Sequence, residues 1–187
     1  MKDFTDITFI LDASGSMNHI REDVIGSYKT FIAEQQKLGD NFSVDAYMFN
    51  TVIKHMEDIK QYCCMGTTAL IDAVCEVIDK VGERLNNTVD KPDKVVIVIM
   101  TDGYENASVK FSNDDLKNRI ELQQNTYKWS FVFLGSNIDS FATAGSYGIN
   151  MNTTGNFVAS SAGTSSAVRS LSTSISNYRK GSGSLKI

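Results

Sequence analysis

Apolar and polar positions follow two rhythms along this chain. Residues 5–11 are apolar on both faces, with Phe9 and Leu11 on one and Ile10 on the other, and they run straight into Asp12. A strand of that kind belongs inside a sheet covered on both sides. A turn over Asp12-Ala-Ser-Gly-Ser16 follows. Ile20, Val24, Tyr28, Phe31 and Gln35 then recur at steps of three and four, which predicts an amphipathic helix. Leu38-Gly39-Asp40-Asn41 stops it, with Gly39 suited to the C-terminal cap. Residues 42–50 alternate as a half-exposed strand, and residues 51–59 read as a second strand paired with it in a hairpin. After a loop over 60–68, residues 69–85 carry Leu70, Ala73, Val74, Val77, Ile78, Val81 and Leu85 on one helical stripe.

The second half repeats the alternation. A polar loop with the sole proline, Pro92, leads into Val95-Val96-Ile97-Val98-Ile99-Met100, the central buried strand, which ends in Thr101-Asp102-Gly103. Ser112 is placed to cap a helix over 114–124, whose acidic first turn suits the helix dipole. Residues 129–134 form another apolar strand, residues 138–144 a short helix, and residues 149–151 a last edge strand. Beyond Asn152 the chain is rich in Ser, Thr, Gly and Asn, yet Val168, Leu171, Ile175 and Tyr178 keep helical spacing, so a helix over 164–180 is expected, held by packing because its serines are poor helix formers. Residues 181–187 read as a flexible tail. The pattern predicts one α/β domain over 1–180: a doubly wound, mostly parallel, Rossmann-like central sheet with helices on both faces and one antiparallel edge strand.

Composition narrows the function classes. The 187 residues are 42% hydrophobic and 21% charged, which excludes whole-chain disorder. No apolar run is long enough to span a bilayer. A net charge of −4 argues against a nucleic-acid binder, although the stretch from Ser140 onward carries Arg169, Arg179, Lys180 and Lys186 and no acid. The first ten residues lack the sections of a signal peptide, and three cysteines, two of them adjacent, make no disulfide framework. A reducing cytoplasm is the expected compartment. The sequence leaves the oligomeric state open.

In doubly wound sheets, ligands bind outside the carboxyl ends of the strands, where chain order reverses. Three sets of oxygen-bearing side chains fall there: Asp12-x-Ser14-x-Ser16 after the first strand, Thr68 in Gly66-Thr67-Thr68-Ala69-Leu70 before a helix, and Asp102 after the buried strand. If the turn stays extended, alternation places residues 12, 14 and 16 on one side, and Gly15 lets the backbone turn without a clash. Each set alone has an ordinary reading: turn and capping residues for the first, a helix N-cap for Thr68, a turn for Asp102-Gly103. Together they form a set of hard oxygen donors suited to Mg²⁺, Mn²⁺ or Ca²⁺. Two carboxylates only neutralise a divalent ion, so it keeps an exchangeable position that a partner's acidic side chain can fill.

These residues resemble the metal-ion-dependent adhesion site (MIDAS) of von Willebrand factor A-type (VWA) domains: Asp12-Ala-Ser-Gly-Ser16, the threonine of Gly-Thr67-Thr68-Ala-Leu, and the aspartate of Thr101-Asp102-Gly103, in matching order. The resemblance runs from about Asp6 to Tyr178 and is greatest to small, stand-alone bacterial and phage members, which share the run Thr101-Asp102-Gly103-Tyr104-Glu105-Asn106. It implies binding of a protein partner and no turnover. In such sites Ser14, Ser16 and one of Thr68 or Asp102 touch Mg²⁺ directly, while Asp12 and the remaining member act through water. Thr67 competes with Thr68 as the loop ligand, and ligand binding can be coupled to movement of the C-terminal helix.

The other candidates are few. His19 lies beside the metal loop and is either a ligand contact or a solvated helix-start histidine, and Glu105 is either an acceptor orienting site groups or a surface acid. Cys75 belongs to an apolar stripe, and Trp129, Phe131 and Phe133 to a strand. Two rival functions stand beside the binding module: a metal-dependent hydrolase or phosphatase, and a structural protein, such as one of a phage particle, with a vestigial site. Phosphatases of the haloacid dehalogenase type open with Asp-x-Asp after a strand, and Ser14 here lacks the second carboxylate.

Overall fold

The computed structural model describes residues 3–181 and 183–187. The elements run β1 (Thr5–Asp12), α1 (Arg21–Gln36), β2 (Phe42–Phe49), β3 (Ile53–His55), α2 (Leu70–Asn86), β4 (Lys94–Thr101), α3 (Asn113–Asn125), β5 (Ser130–Gly135), α4 (Ser140–Ser146), β6 (Thr154–Asn156) and α5 (Ser161–Arg179). The six strands make one sheet in the order β3-β2-β1-β4-β5-β6. Every pairing is parallel except β2 with β3, which forms the antiparallel edge. The chain reverses its direction of travel across the sheet between β1 and β4, which therefore flank the switch point.

Strand alternation assigns the two faces. Ile7, Phe9 and Leu11 of β1, with Val96, Val98, Val132 and Leu134, meet Phe31 of α1 and Val168, Leu171 and Ile175 of α5. Ile10, Ile97, Ile99, Phe131 and Phe133 meet the α2 stripe and Leu116 and Ile120 of α3. Cys75 is fully buried in that second layer, where burial pushes its thiol up to about 12. Trp129, Phe131 and Phe133 are core, as their strand position implies. Among the described residues no helix is long and apolar enough to cross a membrane.

The expected elements are present, with local corrections. A 3-10 turn over Gly15–Ile20 leads into α1 and buries Met17 and Ile20. β3 is only three residues long, because Met56 and Ile59 turn into the core and the Asp58 side chain accepts the Lys60 N–H, a local bond that competes with the ladder. The last strand is not residues 149–151. Ile149 is buried as a core plug, and Asn150 accepts the Asn152 N–H and starts a turn that delays the strand to β6. The α3 start carries a capping box between Ser112 and Asp115. Residues 181–187, expected as a flexible tail, return to the body in their described part: Leu185 is buried in the core, and the Ile187 N–H donates to the Asn152 carbonyl at 2.9 Å.

α5 starts at Ser161, earlier than expected, because the Ser160 side chain accepts the Gly163 N–H as an N-cap. Its buried Val168, Leu171 and Ile175 contribute about 1.5–3 kcal/mol each, against a few tenths of a kcal/mol lost per serine or threonine through propensity, on the order of 0.5. A polar lock adds to this. Gln35 of α1 is fully buried, and its amide nitrogen faces the Ser172 carbonyl and the hydroxyls of Ser172 and Ser176, each at 3.0 Å. Arg179 donates to the Gln35 side-chain oxygen at 3.1 Å and backbone carbonyl at 2.9 Å, and stacks on Phe42. Gln35→Ala strips these groups of their partner and is expected to lower stability by about 2–4 kcal/mol. Urea unfolding measures it; a loss below about 0.5 kcal/mol, the ordinary surface effect, contradicts the lock.

Candidate metal centre

The site begins where β1 runs out. Asp12 is fully buried at the strand end. Its Oδ1 accepts the Ser14 N–H at 2.8 Å and its Oδ2 accepts the Thr101 hydroxyl at 2.6 Å, which ties the end of β1 to the end of β4. Desolvation pushes the Asp12 carboxyl above its ordinary value, and the two hydrogen bonds oppose that shift. The Tyr62 hydroxyl donates to the Asp12 carbonyl from below.

The Asp-x-Ser-x-Ser run is not extended throughout. Ser14 has extended backbone angles, and the 3-10 turn begins at Gly15. The two serines still meet: their Oγ atoms lie 3.0 Å apart, and the Ser16 hydroxyl donates to Asp102 Oδ1 at 2.6 Å. Ser14, Ser16 and Asp102 thus form a continuous string of oxygens, with Asp12 beneath it. Asp102 is nearly buried, and its Oδ2 has no hydrogen-bond partner in the protein. A buried carboxylate oxygen left without a donor is costly.

Thr68 joins from the third loop. The Thr68 hydroxyl lies 3.8 Å and the Ser16 hydroxyl 4.0 Å from the point where a Cβ on Gly103 would stand, so both border the same spot beside Gly103. Thr68 is buried and Thr67 is exposed. The loop carrying them is pinned on all sides. Gly15 N–H donates to the Gly66 carbonyl at 3.0 Å and Met65 N–H to the Ala13 carbonyl at 2.8 Å. Gly66 takes a φ of +76°, which favours glycine. The Asn50 amide donates to the Met65 carbonyl, and the Asn50 carbonyl accepts the Ala69 N–H. Asn106 clamps Thr68 directly: its Oδ1 accepts the Thr68 N–H at 3.0 Å and its own N–H donates to the Thr68 carbonyl at 3.0 Å.

Sequence reasoning missed Asn50, Tyr62 and Asn106. An asparagine offers a donor and an acceptor to the backbone, and Asn106 stood within a quoted motif, but its partner lies 38 residues away. Glu105 orients no site oxygen. Its carboxylate accepts the Ile71 N–H at the start of α2 and the Ala107 and Ser108 N–H groups and the Ser108 hydroxyl of its own loop. His19 is exposed. Its Nδ1 lies 2.6 Å from the Ser16 carbonyl and its Nε2 3.1 Å from the Ala159 carbonyl, and both contacts raise its pKa. Only the imidazolium can donate to both carbonyls.

Among the described residues no three His, Cys, Asp or Glu side chains stand close enough to hold a metal ion. A cation here would depend on hydroxyls for half or more of its protein ligands. Asp102 Oδ2, the Ser14–Ser16 pair and Thr68 are hard oxygens with unused lone pairs and fit such an ion.

No protein-family model and no curated protein matches this chain. Solved structures do. The PilB minor pilin of Streptococcus sanguinis matches at 11% identity with a TM-score of 0.69, over 97% of this chain and 64% of that one, so the present chain spans less than two thirds of its length. The vWF domain of the type V pili tip protein Mfa5 from Porphyromonas gingivalis matches at 10% identity and TM-score 0.70, over 98% of both chains. The SpRpn10 VWA domain matches at 7% identity and TM-score 0.61, over 90% of this chain and 95% of that one. At such identities the likeness shows the fold alone, and that fold is the von Willebrand factor A type.

Proposed function

We propose that this chain is a protein-binding module in which a divalent cation, Mg²⁺ first and Mn²⁺ or Ca²⁺ next, sits at the carboxyl edge of the sheet between β1 and β4 and bridges to an acidic side chain of a partner protein. The observation that carries the reading is Asp102: a buried carboxylate oxygen without a donor, at the end of a string of serine hydroxyls, at the switch point of the sheet. Ser14, Ser16 and Thr68 would supply hydroxyls and Asp102 a carboxylate. Asp12, with both oxygens already accepting protein hydrogen bonds, would act through water and fix the loop. Four direct donors leave a six-coordinate ion open to water and to one guest. Two of the similar structures are pilus components by name, a minor pilin and a pili tip protein, and a role in contact with other proteins agrees with that.

Isothermal titration with MgCl₂ and MnCl₂ is the direct test. The wild-type chain is expected to bind one ion. Ser14→Ala combined with Ser16→Ala is expected to weaken binding by about a hundredfold, two lost ligands at about 1.4 kcal/mol each, with an unchanged circular dichroism spectrum. No heat of binding, or equal affinity in the double variant, overturns the reading.

The Asn106 clamp yields a second prediction. Asn106→Ala frees Thr68 while leaving all four proposed ligands in the chain, and is expected to lower ion affinity by about tenfold. Burial of Asp12 yields a third. Its raised pKa means that it protonates above the ordinary aspartate value of 3.8, so ion affinity should decline on acidification while exposed aspartates are still charged. Titrations at stepwise lower pH check the sign.

A further inference from the structure

We infer a second ligand site, at the opposite edge of the sheet and independent of any cation: a cavity that takes a small, uncharged aromatic molecule. It lies at the amino ends of β4 and β5, between the last turns of α2 and α3, and has a volume of about 500 Å³. Val95 in its wall precedes Asp102 by seven residues, about 23 Å of extended strand. The two sites share no side chain.

Two local choices shape this cavity. Gly82 lines it from the interior of α2, where a glycine weakens a helix. A Cβ at that position would meet nothing within 4 Å, so packing does not ask for glycine there. Lys128 takes a φ of +60°, in the left-handed region that favours glycine. It follows α3, whose Gln123 carbonyl accepts the N–H groups of both Tyr127 and Trp129 at 3.1 Å. That turn brings the rings on either side of Lys128 to one cavity. Unfavourable backbone choices of this kind gather at functional sites.

The lining sets the chemistry of the occupant. Trp129 is only 8% exposed and forms the inner wall with the buried Leu85 and Val95. Tyr127 and Leu122, 61% and 52% exposed, stand at the mouth. An apolar hollow with uncovered large side chains at its rim has the make-up of a small-molecule site. The two aromatic rings favour a ring that stacks or meets them edge-on over a saturated group of equal size. The charged residues of the lining, Lys91 and Asp93, are of opposite sign and already engaged. The Lys91 ammonium donates to the Leu85 and Asn86 carbonyls at the end of α2, and Asp93 Oδ2 accepts the Phe4 N–H at 3.2 Å. An ionic ligand would leave water without gaining a free counter-charge. The side-chain amides of Asn86 and Gln123, on the same wall, each offer a donor and an acceptor to a hydroxyl or amide on the ring.

Trp129 is the sole tryptophan, so its indole N–H gives a single cross-peak in an NMR correlation spectrum of the full chain. Titration with p-cresol is expected to move that peak saturably, together with the amide signals of Gly82 and Tyr127, and to leave the Gly103 signal in place. Benzoate and benzylammonium are expected to bind about tenfold more weakly or not at all, and cyclohexanol more weakly than p-cresol. Gly82→Leu fills the cavity and should abolish the p-cresol shifts. Leucine suits a helix better than glycine, so the melting temperature should equal or exceed that of the wild type, with magnesium affinity unchanged. Tyr127→Ser, at an exposed position, should weaken p-cresol by about threefold or more. No saturable shift in the wild type, equal affinity for either charged analogue or for cyclohexanol, binding that survives in folded Gly82→Leu, or full affinity in Tyr127→Ser would overturn this inference. None of those outcomes bears on the cation, which the magnesium titrations test separately.

Discussion

A carboxylate without access to water sits where β1 ends, and the loops of the site are referenced to it. Taking the Asp12 charge out of solvent costs several kcal/mol even after relaxation. The Ser14 N–H and the Thr101 hydroxyl offset part of that, since hydrogen bonds to charged groups contribute about 1.5–3 kcal/mol each, and burial still leaves the carboxyl above its ordinary pKa. The two bonds also do geometric work. One bends the chain out of β1 into the serine turn; the other joins that turn to β4. The backbone of Asp12 and Ala13 then receives Tyr62 and Met65, so the threonine loop is fastened to the same point. A substitution at Asp12 therefore cannot separate fold from site.

Acids near this edge divide by hydrogen-bond accounting and not by position. Asp72 accepts the N–H groups of Val109, Lys110 and Phe111, and Glu105 caps the start of α2 and its own loop. Asp12 is filled by one N–H and one hydroxyl. Asp102 alone among these four keeps an oxygen that is buried and unmet. Burial without a donor is tolerated where something else supplies positive charge, and this asymmetry singles out Asp102 among carboxylates that look alike in the sequence.

Much of the architecture was legible because it rests on short-range periodicity. β4 is an unbroken apolar run, α2 has a clean stripe, and β1 shows its two-sided burial in the order Phe9, Ile10, Leu11. The positions of Asp12, Ser14, Ser16, Thr68 and Asp102 were legible too, since each follows a strand or precedes a helix. What escaped depends on partners distant in sequence. Asn106 reads as a loop residue until the chain brings Thr68 to it. Tyr62 reads as part of a nondescript loop until its hydroxyl meets the Asp12 carbonyl. The edge elements were misplaced for a related reason: β3 and β6 are three residues each, too short for alternation to set their limits. Leu185 could not be told from a loose end, because a single apolar residue after glycines carries no period.

The proposed donor set has a consequence for how tightly a guest can be held. Two carboxylates cancel the charge of a divalent ion, and hydroxyls add coordination without charge. An incoming carboxylate would then give the cluster a net negative charge, with the His19 imidazolium at the Ser16 carbonyl the nearest cation of the loop to offset it. Its gain would come mainly from the ion's unspent electrophilicity, as the Coulomb energy of such a contact scales inversely with the local dielectric. A third carboxylate in place of Ser14 or Ser16 would grip the ion harder and weaken its pull on a guest. In the proposed site, serines at both positions would favour a metal that stays available to a partner over one that is merely well held.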